Sequence, residues 1–353
     1  MKIPHYRLHN QRVASNSFET PGEVVGWLGA VQAQDYLGAL WAVGLRTRSA
    51  TEGGVEEALA DRTIVRTWPM RGTLHFVAAA DVRWMLELMT PRILAANAAR
   101  LRKDYELDEA VLAHSREVFV QALQGGRQLS RNAMYQALED AGIPAAGQRG
   151  LQILWWLAQE GLLCFGAREG KQQTFVLLDE WVPGAKRLER EEALAQLARR
   201  YFTSRGPATV QDFTWWSGLA PADAAAGLEA VRSELVHEVI SRRTYWFSPV
   251  SIEDHASPAY LLPAYDEYTV AYRDRSAVLR PEHAKRAYSG NGIFYPTMIY
   301  DGQVVGTWKR TLAKGSVSVT PNPFGPLKKT QEKAFTKAAR RYGAFLELPV
   351  AKP

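Results

Sequence analysis

One succession of helix-like and strand-like segments recurs three times along the 353-residue chain, although the amino-acid sequence itself does not repeat. In the clearest copy, a helical pattern covers residues 108–124, a second helix begins at Ser130, and a third begins near Gln148. Two strand-like runs, 162–167 and 174–178, then follow. Three helices followed by a two-stranded hairpin are typical of the winged helix-turn-helix.

The other two copies have the same order of segments. The third copy occupies about residues 189–249, and the first copy ends in a strand hairpin over residues 64–77, with Arg71 and Gly72 at its turn. We therefore predict an α+β chain, mainly helical, that contains three tandem winged-helix units.

The pattern changes to short strands near the C-terminus. Strand-like runs cover residues 259–264, 293–300, 303–309 and 316–320. They predict a small β-barrel or curled sheet, which a basic helix would close, and three prolines, Pro321, Pro323 and Pro326, would separate the last strand from that helix. The predicted domains are residues 1–107, 108–188, 189–255 and 256–353.

Two glutamines, Gln32 and Gln34, flank one alanine near the predicted end of a helix. A capping box with proline at the first helical position starts this helix at Thr20, and apolar residues continue at helical spacing as far as Val31. Residues 35–38 contain Asp35 and a glycine, and they predict its end. Residues two apart on a straight helix point about 200° apart, so the glutamines can share a site only where the helix unwinds. From residue type alone, two solvated side chains remain the ordinary interpretation.

Positive charge is concentrated in one segment near the C-terminus. The chain has a net charge of +6, whereas the segment from Trp308 to Arg341 has nine basic residues and one acid, which leaves −2 for the rest. The basic residues are Lys309, Arg310, Lys314, Lys328, Lys329, Lys333, Lys337, Arg340 and Arg341. Such an excess favours a polyanion-binding face. The alternative is a solvated basic helix from Lys328.

Several classes of protein do not fit this sequence. No apolar run approaches the length of a membrane span, and the first residues have no signal-peptide core, so we expect a cytoplasmic protein. A single cysteine, Cys164, excludes an internal disulfide and a thiolate zinc site. The seven histidines have no metal-binding spacing, and no glycine loop would hold a phosphate. We expect neither a metal nor a cofactor.

Specific reading of DNA bases has weak support. The helix predicted from Pro221 contains no Arg, Lys, Asn or Gln before Arg232, although such side chains read the major groove. The second unit offers Gln148, Arg149 and Gln152, followed by tryptophans that are typical of a core. Paired carboxylates at Asp266 and Glu267 are adjacent on a predicted strand end and face opposite ways, which favours structural hydrogen bonding over catalysis.

Four segments, taken in order, resemble the winged-helix DNA glycosylases, the family typified by AlkZ and YcaQ. They are residues 32–35 (QAQD), 66–75 (RTWPMRGTLH), 263–276, which begins PAYDE and ends YRDRS, and 304–309 (VVGTWK). The match extends over nearly the whole chain. The amide at position 34 matches the AlkZ-like branch, whereas YcaQ-like members have aspartate there. The resemblance implies three winged helices in a C-shaped arrangement, a C-terminal β-barrel, and hydrolysis of the glycosidic bond of N7-alkylated purines, crosslinks included.

The resemblance also implies roles for particular residues. Gln32 and Gln34 match the catalytic signature, and Asp35 is expected to lie beside them. Arg71 and His75 are expected to line the same site because the first hairpin returns beside the first helix, although a buried structural role for His75 is almost as well supported. The excess of positive charge, and not the resemblance, predicts that five basic residues contact DNA phosphate: Lys309, Arg310, Lys314, Lys328 and Lys329. For Lys309 and Arg310, a solvated strand end is the alternative.

We therefore predict a monomeric, metal-free DNA glycosylase that acts on double-stranded DNA containing bulky N7-alkylguanine. No lysine is a candidate for a Schiff base, so strand nicking is not expected. The alternative is a non-catalytic tandem winged-helix protein that regulates genes or sequesters a toxin, and RNA binding through the basic C-terminal region is a weaker third reading. Base release from alkylated duplex distinguishes these alternatives.

Overall fold

The computed structural model describes residues 1–15, 18–249 and 258–351. The helices are α1 (Ile3–Asn10), α2 (Pro21–Leu28), α3 (Tyr36–Gly44), α4 (Glu52–Ala60), α5 (Val82–Tyr105), α6 (Glu109–Leu123), α7 (Arg131–Asp140), α8 (Arg149–Gln159), α9 (Leu178–Trp181), α10 (Arg190–Arg205), α11 (Val210–Ser217), α12 (Pro221–Val231), α13 (Glu267–Val270), α14 (Ala284–Ala287) and α15 (Lys329–Phe345). The strands are β1 (Ala30–Gln32), β2 (Ile64–Met70), β3 (Thr73–Ala78), β4 (Leu129–Ser130), β5 (Leu163–Phe165), β6 (Thr174–Leu177), β7 (Val236–Ile240), β8 (Arg243–Phe247), β9 (Ala259–Leu262), β10 (Thr297–Tyr300), β11 (Gln303–Ala313) and β12 (Ser316–Pro323). The predicted α+β class is confirmed.

The chain divides into two compact units. Unit 1 consists of Met1–Val55 and Leu194–Pro353, and unit 2 is Glu56–Ala193. The N-terminal segment that contains the glutamine pair therefore folds with the C-terminal part of the chain. The four consecutive domains stay a prediction, and the boundary at residue 255 lies outside the described residues.

Unit 2 is built around an antiparallel sheet with the strand order β3-β2-β5-β6-β4. Helices α6, α7 and α8 precede the β5–β6 hairpin, and their bounds agree with the predicted segments of the second copy to within about two residues. The core between helices and sheet contains Trp68, Leu101, Phe119, Met134, Ile153, Leu157, Phe165 and Phe175. The helical periodicity and hairpin patterns were therefore sufficient to locate these elements.

The longest helix, α5, was absent from the sequence prediction. Its first half, as far as Thr90, is buried almost all round, whereas its second half is mostly exposed. It therefore has no continuous apolar stripe, which is the pattern that reveals a surface helix. Pro91 also lies inside it, and a proline within a helical pattern is ordinarily a sign that a helix ends or kinks.

Two tryptophans hold the core of unit 1 together. Trp41 of α3 packs against Tyr342 and Phe345 of α15, with ring centroids 5.1 and 5.0 Å apart. Trp308 of β11 also packs against Tyr342, with ring centroids 5.1 Å apart. Both indole N–H groups donate to backbone carbonyls of β9, at Leu261 and Leu262, over 2.8 Å. Helices α3 and α15 are thereby fixed on the C-terminal sheet.

A Gly44→Ala substitution is expected to destabilise the protein by about 1–3 kcal/mol. A Cβ atom at Gly44 would overlap the buried ring of Phe345, and this clash outweighs the better helix propensity of alanine. Gly26, inside α2, is the matched control because a Cβ there has no atom within 4 Å. Gly26→Ala should stabilise the protein by about 0.5–1 kcal/mol. Chemical denaturation measures both changes, and equal midpoints for the two variants would contradict the packing argument.

The predicted C-terminal barrel is wrong. Among the described residues, the last four strands form an open antiparallel sheet in the order β12-β11-β10-β9, in which the outer strands do not pair with each other. Four strands, two of them only four residues long, cannot surround a filled interior, whereas a barrel of about eight can. Helix α15 packs against this sheet, as the contact of Tyr342 with Trp308 shows.

Two of the three prolines expected in a linker lie in a strand instead. Pro321 and Pro323 are part of β12, where they pair with Trp308 and Gly306 of β11. Strand β12 is at the edge of the sheet, where a residue without an N–H group is tolerated. Only Pro326 lies in the link to α15.

The third predicted copy contains its expected elements. Helices α10, α11 and α12 are followed by β7 and β8, which pair antiparallel from Val236↔Phe247 to Ile240↔Arg243. Helix α12 begins at Pro221, as predicted, and ends at Val231. The winged-helix packing of the three copies and their C-shaped arrangement stay predictions.

Candidate active site

The helix that leads to the glutamine pair ends earlier than predicted. Its start is as expected, because the Thr20 side chain accepts from the Glu23 amide and Glu23 accepts from the Thr20 amide. The expected continuation to Val31 is wrong, since Gly29 adopts a positive φ of 74° that stops the helix at Leu28. Extended backbone follows in β1. Strand β1 ends at Gln32 and the chain bends at Gln34, which lets the two glutamine side chains converge.

The two glutamine side chains are hydrogen-bonded to each other. The amide nitrogen Nε2 of Gln32 donates to Oε1 of Gln34 over 2.7 Å, and the backbone N–H of Gln34 donates to Oε1 of Gln32 over 3.1 Å. A backbone N–H can only donate, so it fixes which end of the Gln32 amide is oxygen. Gln32 is 5% exposed, whereas Gln34 is exposed. The buried amide of Gln32 therefore orients the side-chain oxygen of Gln34, which retains a lone pair for another donor.

A buried carboxylate holds the backbone of the glutamine pair. Oε1 of Glu267 accepts the backbone N–H of Gln32 over 3.1 Å. Oε2 of the same residue accepts from Arg205 and from the indole N–H of Trp216, at 2.7 and 2.9 Å. Glu267 is 0% exposed. Its two oxygens therefore join β1 to α10 and α11 inside unit 1.

Arg205 completes this anchor from the end of α10. All five of its N–H groups have an acceptor, because it bonds Glu267 twice, the hydroxyl of Ser204, and the carbonyls of Leu28 and Ala30. Those two carbonyls flank Gly29, where the chain leaves the helix. The guanidinium thus stabilises the break that allows the glutamines to converge. Removal of one member of such a buried pair typically costs about 3–5 kcal/mol.

A second buried ion pair lies next to the first in sequence. Asp266 accepts two hydrogen bonds of 2.9 Å from Arg46, which follows α3. The other N–H groups of Arg46 bond the carbonyl of Ala42 and the backbone and side-chain oxygens of Gln11. Both members have side chains that are 0% exposed. The structural hydrogen bonding predicted for Asp266 and Glu267 is what the structure contains.

Asp35 lies directly beyond Gln34, where it begins a helix and does not end one. Its carboxylate accepts the backbone N–H of Gly38 over 3.2 Å and caps α3. Partial burial, with the nearby carboxylate of Asp35 and the phenol of Tyr295, raises the pKa of Tyr265. The half-buried Tyr265 hydroxyl therefore stays neutral at physiological pH near the glutamine segment.

Arg71 and His75 belong to unit 2, at the β2–β3 hairpin. The nitrogen Nδ1 of His75 donates to the Thr73 carbonyl at 2.9 Å, and this leaves Nε2 to accept from Arg71 at 3.3 Å. His75 is fully buried, and Arg71 is half-buried with a φ of 53°. Their expected position beside the glutamines stays a prediction.

The predicted DNA-binding residues differ in their surroundings. Four lysines, Lys309, Lys314, Lys328 and Lys329, are exposed. Arg310, in contrast, turns back toward α15 and donates to the hydroxyl of Tyr342 over 2.5 Å. Lys309 and Arg310 are neighbours on a strand and face opposite sides of the sheet. The lysines are thus the residues of this set that have side chains directed to solvent.

The anchoring residues Arg205 and Arg46 were not identified from the sequence. Arg46 follows the almost entirely apolar α3, and the Asp266–Glu267 pair follows the apolar β9. A charged residue next to a buried apolar run requires a buried partner. Arg46 and the two acids are in such positions, and they form a signal that could have predicted buried ion pairs, but not the participation of Arg205 at the end of the charged α10.

Within residues 1–15, 18–249 and 258–351, no three side chains of His, Cys, Asp or Glu are grouped so as to hold a metal ion. Over these same residues, no helix combines the length and apolar character that are required to span a membrane.

Comparison with known proteins identifies the family. The model of the AlkZ-like DNA glycosylases matches residues 25–345, so the chain belongs to this family of DNA glycosylases. The resemblance found in the sequence is thereby confirmed. One curated relative, described as "Interstrand DNA cross-link repair glycosylase", comes from Streptomyces sahachiroi. It is 26% identical over 339 residues, which cover 90% of this chain and 89% of the relative.

The fold is also similar to a solved structure. The Streptomyces sahachiroi DNA glycosylase AlkZ superposes with a TM-score of 0.79 at 24% identity, and the match covers 99% of this chain and 98% of the other. This likeness extends to the whole fold.

Proposed function

We propose that this protein is a monofunctional DNA glycosylase that hydrolyses the N-glycosidic bond of bulky N7-alkylguanine in double-stranded DNA and unhooks interstrand crosslinks. The observation that carries the proposal is the exposed Gln34 amide, whose oxygen accepts a hydrogen bond from the buried Gln32. Membership of the AlkZ-like DNA glycosylases supports the reaction class. The description of the Streptomyces relative supports crosslinked DNA as a substrate and a role in DNA repair. Self-resistance to an alkylating toxin is a further part of the proposal.

The reaction needs little acid catalysis. Alkylation at N7 places a positive charge on guanine, and when the bond from N9 to C1′ breaks, its electron pair neutralises that charge. Water then forms the new bond to C1′, and its proton passes to solvent. What remains for the protein is to position the water and to stabilise the positive charge that develops on the sugar.

Amide oxygens are suited to both tasks. The Gln34 oxygen can accept from the attacking water, and its negative dipole end can face the oxocarbenium-like sugar. Because Gln32 already holds this oxygen, little reorganisation is needed during reaction. A carboxylate would be the stronger base, as in sugar hydrolases. Two amides therefore select labile cationic lesions and leave unmodified purines intact.

In this proposed function, the protein binds duplex DNA and acts alone. Three tandem winged-helix units in a C-shaped arrangement bind the duplex, and Asp35, Arg71 and His75 line the site around the lesion. The exposed lysines Lys309, Lys314, Lys328 and Lys329, together with Arg310, contact phosphate. The protein acts in the cytoplasm as a monomer, without metal or cofactor, and does not nick the strand.

Base-release analysis on a duplex with one N7-alkylguanine tests this function. Purified protein should produce the free alkylated base and an alkali-labile abasic site, faster than spontaneous loss in a protein-free control. The rate should be unchanged in EDTA, and strand breaks should appear only after alkali. An undamaged duplex of the same sequence should lose no base. Tight binding without release would contradict the proposal and favour a non-catalytic regulator.

The rate of base release is expected to be independent of pH between about 6 and 9. The catalytic amides do not ionise, and the raised pKa of Tyr265 moves its deprotonation to pH values above this range. Single-turnover rates across this range, corrected for spontaneous loss, measure the profile. A step near neutral pH would contradict the amide mechanism and point to an imidazole such as His75.

A further inference from the structure

A polar cleft of about 950 Å³ lies beside the β7–β8 hairpin of unit 1. One wall is the first turn of α11, and a second is the hairpin with Arg242 and Arg243. The third wall is the segment of Arg273, Asp274 and Ser276. Three arginines from two separate segments thus surround one space.

The walls of this cleft are fixed by hydrogen bonds. The hairpin is joined to the loop before α11 by two backbone bonds between Trp246 and Ala208, at 2.8 and 3.1 Å. The carboxylate of Asp212 accepts the backbone N–H groups of Arg273 and Asp274, at 2.9 and 3.2 Å. The cleft is therefore preformed.

The charges that face the cleft are predominantly positive. Arg243 forms an ion pair with Asp274. Elsewhere in the described ranges, no carboxylate forms an ion pair with Arg242 or Arg273. Asp212 is 1% exposed, and its carboxylate accepts hydrogen bonds from the N–H and hydroxyl groups of Thr209 and from the backbone N–H groups of Arg273 and Asp274. The N-terminal end of α11 adds partial positive charge to one wall.

We propose that this cleft is a docking site for the phosphodiester backbone of duplex DNA. The inference rests on the proposed function and adds a binding site to it. Guanidinium groups match phosphate oxygens in a bidentate geometry. Helix α12 offers no base-reading side chain before Arg232, so this part of the chain binds the backbone through its hairpin. It positions the duplex without selecting sequence.

Salt-dependent binding to an undamaged duplex tests the site with the double variant Arg242→Asn/Arg273→Ala. Asparagine is chosen because Arg242 has a φ of 63°, a conformation that asparagine tolerates. Loss of two phosphate contacts should reduce the slope of log affinity against log salt by about two. Affinity near 0.1 M salt should fall about tenfold or more. Thermal unfolding verifies that the variant is folded.

The matched control is Arg280→Ala/Lys285→Ala, which removes the same charge from two exposed residues outside the cleft. Its slope and affinity should stay close to those of the parent. Equal losses in both double variants, or no loss in the first, would overturn the docking site. The lysine variant Arg242→Lys/Arg273→Lys should retain most of the slope, and a full loss would also overturn the proposal. The probe is undamaged DNA, from which no base is released. The binding result therefore tests the docking site independently of the proposed glycosylase activity.

Discussion

A Gln34→Ala variant is expected to release N7-alkylguanine at least about 100-fold more slowly than the parent in single-turnover reactions. The substitution removes the oxygen that would hold the attacking water and face the sugar. Solvent that takes its place must reorient during the reaction, whereas the amide dipole is already oriented. Because Gln34 is exposed, the fold should be unaffected. Release of the free base, measured by chromatography against time, gives the rate.

The effect of Gln32→Ala is expected to be smaller, about tenfold. Gln32 is buried and orients the oxygen of Gln34 over 2.7 Å, so in the proposed mechanism it would act on the sugar only through Gln34. Without it, Gln34 keeps its chemistry but loses its fixed position. Gln121→Ala, at an exposed glutamine of α6, is the control and should have the parental rate.

Binding separates this loss of chemistry from a loss of affinity. Both glutamine variants should bind an alkylated duplex as tightly as the parent, because neither removes a charge. Base release at the parental rate by both variants would contradict the catalytic assignment. Parallel losses of rate and affinity would instead assign the glutamines to DNA binding.

The sequence predicted most of the elements that depend on local patterns. The capping box at Thr20, the helices of the second copy and the β2–β3 hairpin were predicted within a few residues. Each depends on capping, periodicity or turn residues that are close together in the chain. Whether the last four strands closed into a barrel depended on pairing between distant strands, and that prediction was wrong.

In the candidate site, too, the features that depend on neighbouring residues were predicted, and those that depend on distant residues were not. The sequence identified the glutamines and required that the helix unwind for them to meet, but it placed the helix end at Asp35. The structure ends the helix at Leu28, since Gly29 adopts a positive φ and Arg205 binds the carbonyls on both sides of it. Arg205 is far away in the sequence, so no local pattern reveals this contact.

The anchor of the glutamines has an electrostatic consequence. The nearest buried acid, Glu267, is neutralised by Arg205 and occupied by Trp216 and by the backbone N–H of Gln32. Its charge therefore holds the glutamine pair in place. In the proposed mechanism, selectivity for cationic bases would then depend on the weaker dipole of the amides.

A Glu267→Gln variant is expected to lower the free energy of unfolding by about 3–5 kcal/mol. It leaves the buried Arg205 guanidinium without its counter-charge, although the shape of the side chain is retained. Thermal and chemical denaturation measure the loss. Asp266→Asn is a closely matched control, because it removes one charge from the other fully buried arginine pair and should destabilise the protein to a similar extent.

The two variants should differ in catalysis at a temperature where both are folded. Only Glu267 accepts the backbone N–H of Gln32, so only its substitution moves the amide pair. A displacement of about 1 Å can lower a rate by as much as about 100-fold. We therefore expect Glu267→Gln to release base at least about tenfold more slowly than Asp266→Asn, with equal affinity for undamaged duplex. If the two rates fall equally, the carboxylate of Glu267 contributes only stability, and the amides are positioned by the rest of the fold.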